Sequence, residues 1–343
     1  IHMNNYKGEN MNKLKTIGLS ALAGSLVAFS ANAVELTASG SAKVTYTNGN
    51  NDEVTGNPYG MNTSIAFSGS GDVNGYETTL TMVMSDQMAG MSSASLAIDL
   101  GDMGKVTFDQ GVGAGGISTI DDKTPTAAEE VWDNLDAVTG TSNGLVGAGN
   151  NGVFVYEKTF MDTKLSAQLS PGGSAANTDG AVSGGTSNAA GWDFALTNSS
   201  IMDGLDVGFG YGSFSNDENG AIGTNGDDED EHMVGFVNYT MGAISVGYTE
   251  SVVTNNERGG TDEEATGFGV ALNLMDGVSV SYGEREVEHL KAASTHVTED
   301  MQGTALAYTM GSAKITLQNN ETTSNGGGTS NDEMTEIALS LSF

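Results

Sequence analysis

Asp332-Glu333-Met334-Thr335-Glu336-Ile337-Ala338-Leu339-Ser340-Leu341-Ser342-Phe343 alternates apolar with small or polar side chains from Ile337 onward and ends on an aromatic ring. Successive side chains of a strand point to opposite faces, so Ile337, Leu339, Leu341 and Phe343 share one face and Ala338, Ser340 and Ser342 the other. One face suits hydrocarbon and the other water. A half-buried strand closing a water-soluble sheet would show the same alternation, so the two readings must be separated elsewhere in the chain.

At the other end, Lys13 and Lys15 precede an apolar run from Ile17 to Phe29, followed by Ala31-Asn32-Ala33. A charged segment, a short apolar segment and a small-residue cleavage site make a secretory signal, removed after Ala33, with Met11 as its start and residues 1–10 as an upstream extension. The competing reading is a transmembrane helix. The run is shorter than the ~20 residues a span needs and contains Gly18, Ser20, Gly24 and Ser25. No other segment approaches ~18 apolar residues, so an exported chain of residues 34–343 is either secreted or an outer-membrane β-barrel.

The absence of Cys excludes a disulfide scaffold, a Cys-ligated zinc and a thiol nucleophile. Glycine is abundant and proline rare, 49 against 3, which favours many strands joined by glycine turns over helices. Residues 34–343 show turns but no linker and read as one all-β domain.

A repeat appears when the turns are aligned. Met103-Gly104, Met161-Asp162, Met202-Asp203-Gly204, Met241-Gly242, Met275-Asp276-Gly277 and Met310-Gly311 recur at intervals of 58, 41, 39, 34 and 35 residues, with Gly71-Asp72-Val73-Asn74-Gly75 in the slot before them. Alternating runs follow these turns, such as Leu205, Val207, Phe209 and Tyr211, or Ile244, Val246 and Tyr248. Two runs, Val153 to Phe160 and Met233 to Tyr239, carry apolar residues on both parities, and their facing stays open. Seven tight turns, with a first strand at Leu36 to Tyr46 and a last ending at Phe343, predict sixteen strands and a transmembrane antiparallel β-barrel. The other end carries eight connections, at 47–60, 85–91, 111–151, 171–190, 215–231, 251–262, 287–298 and 322–331.

With its leader, its terminal Phe343, sixteen strands and one exceptional loop, the whole of residues 34–343 resembles the general (non-specific) porins of Gram-negative outer membranes, of the alphaproteobacterial type. The resemblance implies a homotrimer in outer-membrane lipid, a C-terminal strand (Ile337, Leu339, Leu341, Phe343) read by the barrel-assembly machinery, and passive diffusion of small hydrophilic solutes and cations. It also implies that the loop at 111–151 folds inward and narrows the pore through Asp121, Asp122, Glu129, Glu130, Asp133 and Asp136. An acidic external flap is the competing reading of that loop. The family's opposing basic cluster is thin here. Parity points Lys43, Lys105, Lys164, Arg285 and Lys314 inward, but Lys105, Lys164 and Lys314 stand beside tight turns at the rim. From Val34 on, 9 Lys and Arg face 43 Asp and Glu, a formal balance of −34, which predicts cation preference.

Other motifs carry less. Gly111-Val112-Gly113-Ala114-Gly115-Gly116 matches a dinucleotide fingerprint, but no amphipathic helix follows it. Asp227-Asp228-Glu229-Asp230-Glu231 offers hard oxygens for loosely bound Ca²⁺ or Mg²⁺ without the ligand spacing of a defined calcium loop. His232, His289 and His296 lie in or beside loops, no Ser/His/acid constellation is visible, and no enzyme, cofactor or nucleic-acid partner is expected. Trp132 and Trp192 suit an aromatic belt or loop packing. A secreted or surface-attached Gly/Asn/Asp/Thr-rich adhesin or layer protein built as a β-solenoid is the alternative, and it requires a fixed short coil repeat.

Overall fold

The structure, a computed structural model, describes residues 35–49, 57–85, 91–113, 115–135, 151–171, 190–215, 229–254, 261–291 and 296–343. The leader read from residues 1–33 lies outside them. The strands are β1 (Glu35–Gly49), β2 (Tyr59–Val73), β3 (Tyr76–Ser85), β4 (Met91–Asp99), β5 (Lys105–Gln110), β6 (Asn151–Phe160), β7 (Thr163–Pro171) and β8 (Ala190–Asn198). They continue as β9 (Leu205–Ser215), β10 (Glu229–Met241), β11 (Ile244–Thr254), β12 (Thr261–Met275), β13 (Val278–Lys291), β14 (Val297–Met310), β15 (Ala313–Thr323) and β16 (Asp332–Ser342). Each pairs antiparallel with its chain neighbour, and β16 pairs with β1 to close a barrel. The strands meander up and down in chain order, so the solenoid alternative does not describe this fold.

The seven aligned motifs do mark the tight turns. Asn74 and Gly75 both have positive φ, as a two-residue hairpin matched to strand twist requires. Met161 and Asp162 adopt the same handedness without a glycine, at an exposed tip where Met161 is 97% accessible. At the opposite end the strands outrun the sequence reading: the connections read as 251–262 and 287–298 shrink because β11 continues to Thr254, β12 starts at Thr261, β13 reaches Lys291 and β14 starts at Val297. Backbone ladders need no apolar side chains, so these polar extensions carry no hydrophobic period to read.

Outward parity is apolar over a band that includes Leu80, Leu96, Phe154, Phe209, Val246, Leu306, Ile315, Leu317, Ile337 and Leu339, all accessible to the outside. Its upper edge has a recurring device in which a tyrosine donates to the first acid above it: Tyr211 to Glu231 (2.5 Å), Tyr248 to Glu250 (3.5 Å) and Tyr282 to Glu284 (2.5 Å). A ring in the apolar band with its hydroxyl turned to a polar layer is the behaviour of an interfacial aromatic. Trp192 belongs to this outer surface, tilted against Tyr211 at 5.6 Å.

The seam is tied at Phe343. Its N–H donates to Gly40 O (2.9 Å), Gly40 N–H donates to Phe343 O (2.7 Å), and its ring lies where a β-carbon on Gly40 would stand. Gly40→Val should therefore reduce the heat-modifiable folded fraction on refolding into detergent severalfold, whereas Gly69→Val, at an outward position with open space, should refold like the parent.

Candidate functional site

Sixteen strands ~4.8 Å apart and tilted ~40° enclose a cylinder roughly 30 Å across, against the ~10 Å that two facing layers of side chains fill. Some other part of the chain must occupy the difference, or water must. The described part of the β5–β6 loop, residues 111–113 and 115–135, lies inside and runs along the inner wall from β7 to β15, where Glu129 also reaches Lys43 of β1.

The loop turns inward at once. The Asp109 carboxylate on β5 accepts from Gly111 N–H (2.6 Å) and Val112 N–H (2.9 Å), which reverses the chain at the fingerprint-like glycines. Gly116 N–H then donates to Ser166 Oγ (2.9 Å) and Ile117 N–H to Asp193 (2.7 Å), reaching β7 and β8. A single 3₁₀ turn, Gly116–Thr119, presents Ile117 and Ile120, both fully buried, to Ala195, Val234, Phe236 and Val253. This settles the two ambiguous runs. Phe154, Met233 and Val237 face out, while Val153, Val155, Val234 and Phe236 face in, beneath the loop.

Further on, the Asn238 amide donates to Lys123 O, and Ala127 N–H donates to Ser281 Oγ (2.8 Å). Gln318 accepts from Glu129 N–H (3.1 Å) and donates to Glu130 O (2.8 Å), while Asn320 donates to Glu130 O and Asp133 O (2.9 Å each). Val131 and Trp132 pack on Ala265, Val287 and Met301. Ile117, Ile120, Asp193, Asn238, Gln318 and Asn320 are site residues that the sequence reading missed. The doubled apolar parity of Met233 to Tyr239 was the one available signal for them.

The acidic residues divide into two sets. Asp122 and Glu129 are about half exposed, at 49% and 48% of their side chains. Asp121, Glu130 and Asp133 are drawn further in. Burial, reinforced by the neighbouring Asp122 charge, pushes Asp121 up to about 7, burial likewise pushes Glu130 to about 7, and burial and then Glu129 raise Asp133. Asp136 lies outside the described residues.

The basic residues are largely spent on acids or covered. Lys43 bonds Glu336 at 3.1 Å and Glu129 at 3.6 Å. Lys105 and Lys164 share Glu157 at 2.5 and 2.8 Å beside the tight turns. Lys314, in register with Ser340, stands at the same end. Arg285 points inward but is 4% exposed, its guanidinium 4.7 Å over the Trp132 ring, so the loop covers it rather than opposing it. His289 is not a loop residue. It lies in β13, between Glu263 (2.9 Å) and Glu299 (3.0 Å). Of the acidic run at 227–231, Asp227 and Asp228 lie outside the described residues, and Glu229, Asp230 and Glu231 begin β10.

The wall that the described loop residues leave free is a lattice of hydroxyls. In register, Thr37 faces Ser68, Ser68 faces Thr81 with their oxygens 3.0 Å apart, and Thr81 faces Ser95. The acid-bearing loop and this Ser/Thr wall thus line different sides of one barrel interior.

No sequence-family model and no curated protein matches the chain. Solved structures do. The trimer form of in-vitro folded OmpT, an outer membrane protein of Vibrio cholerae, superposes with TM-score 0.66 at 11% identity over 91% of this chain and 100% of that one. Salmonella typhi OmpF in complex with daunomycin gives 0.62 at 12%, over 90% and 98%. A mutant Rh. blastica porin gives 0.58 at 11%, over 90% and 100%. The chain has the general-porin fold.

Within this porin-like barrel, the loop's seat on β8–β11 is its main apolar anchor. Each large-to-small change there costs ~2–5 kcal/mol, so the Ile117→Ala, Ile120→Ala double variant should leave the barrel heat-modifiable but let trypsin cut after Lys123. The parent should resist at that bond.

Proposed function

We propose that the chain is an outer-membrane porin of a Gram-negative bacterium, a passive channel for small hydrophilic solutes and ions that prefers cations. The observation that carries this reading is the acid-bearing loop lodged inside a barrel too wide for its side chains to fill. Diffusion through such a passage involves no covalent step. Asp122 and Glu129 present half-exposed carboxylates to it, Asp121 and Glu130 supply charge that varies with pH, and the free wall offers hydroxyls to solutes of either sign. A local potential worth ~1.4 kcal/mol enriches the counter-ion tenfold.

Export by the leader ending at Ala33, docking of the terminal strand on the barrel-assembly machinery and a homotrimeric state complete the reading. The trimer form of the similar OmpT supports the last of these, and the Rh. blastica likeness supports an alphaproteobacterial type. The acids at the head of β10 remain candidates for loosely held Ca²⁺ or Mg²⁺ at the outer rim.

Planar-bilayer recording under a KCl gradient tests the reading. Stepwise conductance with a cation-favouring reversal potential is expected, weaker in high salt because the field's reach shrinks to a few Å. Folded protein that never conducts, or that favours chloride, contradicts it. Because Asp121 and Glu130 are held up at about 7, they are largely neutral below that pH and charged above it. Cation over anion permeability should therefore rise roughly two- to fivefold between pH 5.5 and 8.5. Asp121→Asn with Glu130→Gln should flatten that rise.

A further inference from the structure

At one level of the inner wall, four successive strands present only glycine. Gly247 of β11 pairs with Gly269 of β12, Gly269 with Gly283 of β13, and Gly283 with Gly303 of β14. None of the four has a positive φ, so backbone conformation does not call for glycine at any of them. Glycine in strand interiors weakens a sheet and marks a close approach of other chain. Here the approaching chain is the loop. A β-carbon at Gly247 would collide with Pro125, one at Gly269 would stand 2.8 Å from Pro125 O, one at Gly283 2.8 Å from Val131 Cγ1, and one at Gly303 3.1 Å from that same atom.

The row is bracketed by two asparagines in the same register. Asn238 pairs with Gly247 and Asn320 with Gly303. Both turn the amide nitrogen to loop carbonyls, Asn238 to Lys123 O and Asn320 to Glu130 O and Asp133 O. Both turn the oxygen to the adjacent glycine, where a β-carbon would overlap it. Across six strands the inner wall thus reads Asn, Gly, Gly, Gly, Gly, Asn: a flat bed with a clamp at each end, under residues 123–133.

We infer that this glycine row is the gauge of the channel: by removing a layer of side chains beneath the loop, it sets how far the loop stands from the opposite Ser/Thr wall and hence the largest solute that passes. The inference rests on the channel reading and adds to it the residues that fix the bore. Carbon atoms settle ~3.5–4.0 Å apart, so a methyl at Gly283, now facing 2.8 Å, displaces the loop by about 1 Å, and a leucine displaces it further. Gly247, Gly269, Gly283 and Gly303 act through the loop and are positioning residues.

The test is single-channel conductance and liposome swelling with sugars of graded size. Gly283→Leu should lower conductance at least about twofold and shift the size cutoff down. Gly283→Ala should do the same to a smaller degree, and adding Val131→Ala, which removes the atom that the new methyl meets, should restore the parent values. Gly235→Leu, at an outward position on β10 with only Gly208 O within 4 Å, should change neither. Should Gly283→Leu not fold, the alanine pair and its rescue carry the reading alone. Parent-like conductance and cutoff in Gly283→Ala and Gly283→Leu, or no rescue by Val131→Ala, would overturn the gauge while leaving a conducting parent, and with it the channel reading, intact. A parent that inserts without conducting would overturn both.

Discussion

Backbone N–H and C=O groups at the edge of a sheet have no partner in hydrocarbon, and pairing β16 with β1 removes both edges at once. Phe343 extends that closure by one more pair, exchanging two backbone hydrogen bonds with Gly40 and laying its ring over it. Closing sixteen strands also creates a lumen that side chains alone cannot fill. The inward loop and the polar inner face both follow from that one geometric fact.

The inner face is heterogeneous because different parts of it meet different things. Beneath Ile117 and Ile120 it is apolar, with Ala195, Val234 and Phe236. Beneath Pro125 and Val131 it is glycine, and beside Glu129 to Asp133 it is amide, from Gln318 and Asn320. Where no described residue covers it, it is serine and threonine. Burial of unpaired polar groups is costly, and the loop's backbone is satisfied by side chains of strands that lie far from it in the chain. Arg285 shows the same economy: its guanidinium sits buried under the Trp132 ring of the loop.

Strand order and turn position were legible because they rest on local chemistry. Period-two alternation in runs such as Ile337 to Phe343, and Asn-Gly or Asp-Gly at the tips, need no knowledge of partners. The loop's place was less so. Nothing near residue 117 in the chain says that Phe236 will lie beneath it; the trace left in the sequence was a strand apolar on both faces. The glycines at 247, 269, 283 and 303 are scattered through the sequence and become a row only once the register aligns them. The polar ends of β11 to β14 were read as loops because residues such as Asp262 and Glu288 carry no sustained apolar period. The expected basic wall was a matter of parity, which located Arg285 on the inner face and could not foresee that Trp132 covers it.

That residues 115–135 of the β5–β6 loop lie within the barrel, against the far wall, is the claim on which the rest stands. Because the chain has no cysteine, a single engineered pair reads it without background. Thr126 and Ser281, whose side-chain oxygens stand 3.4 Å apart across the loop and β13, are the pair to replace by cysteine. Mild oxidation of the folded, membrane-inserted double variant should close the disulfide nearly completely and leave the single-channel conductance at the reduced value. A pair that stays open, or a disulfide that closes only as the conductance collapses, would place the loop outside the barrel and contradict the claim.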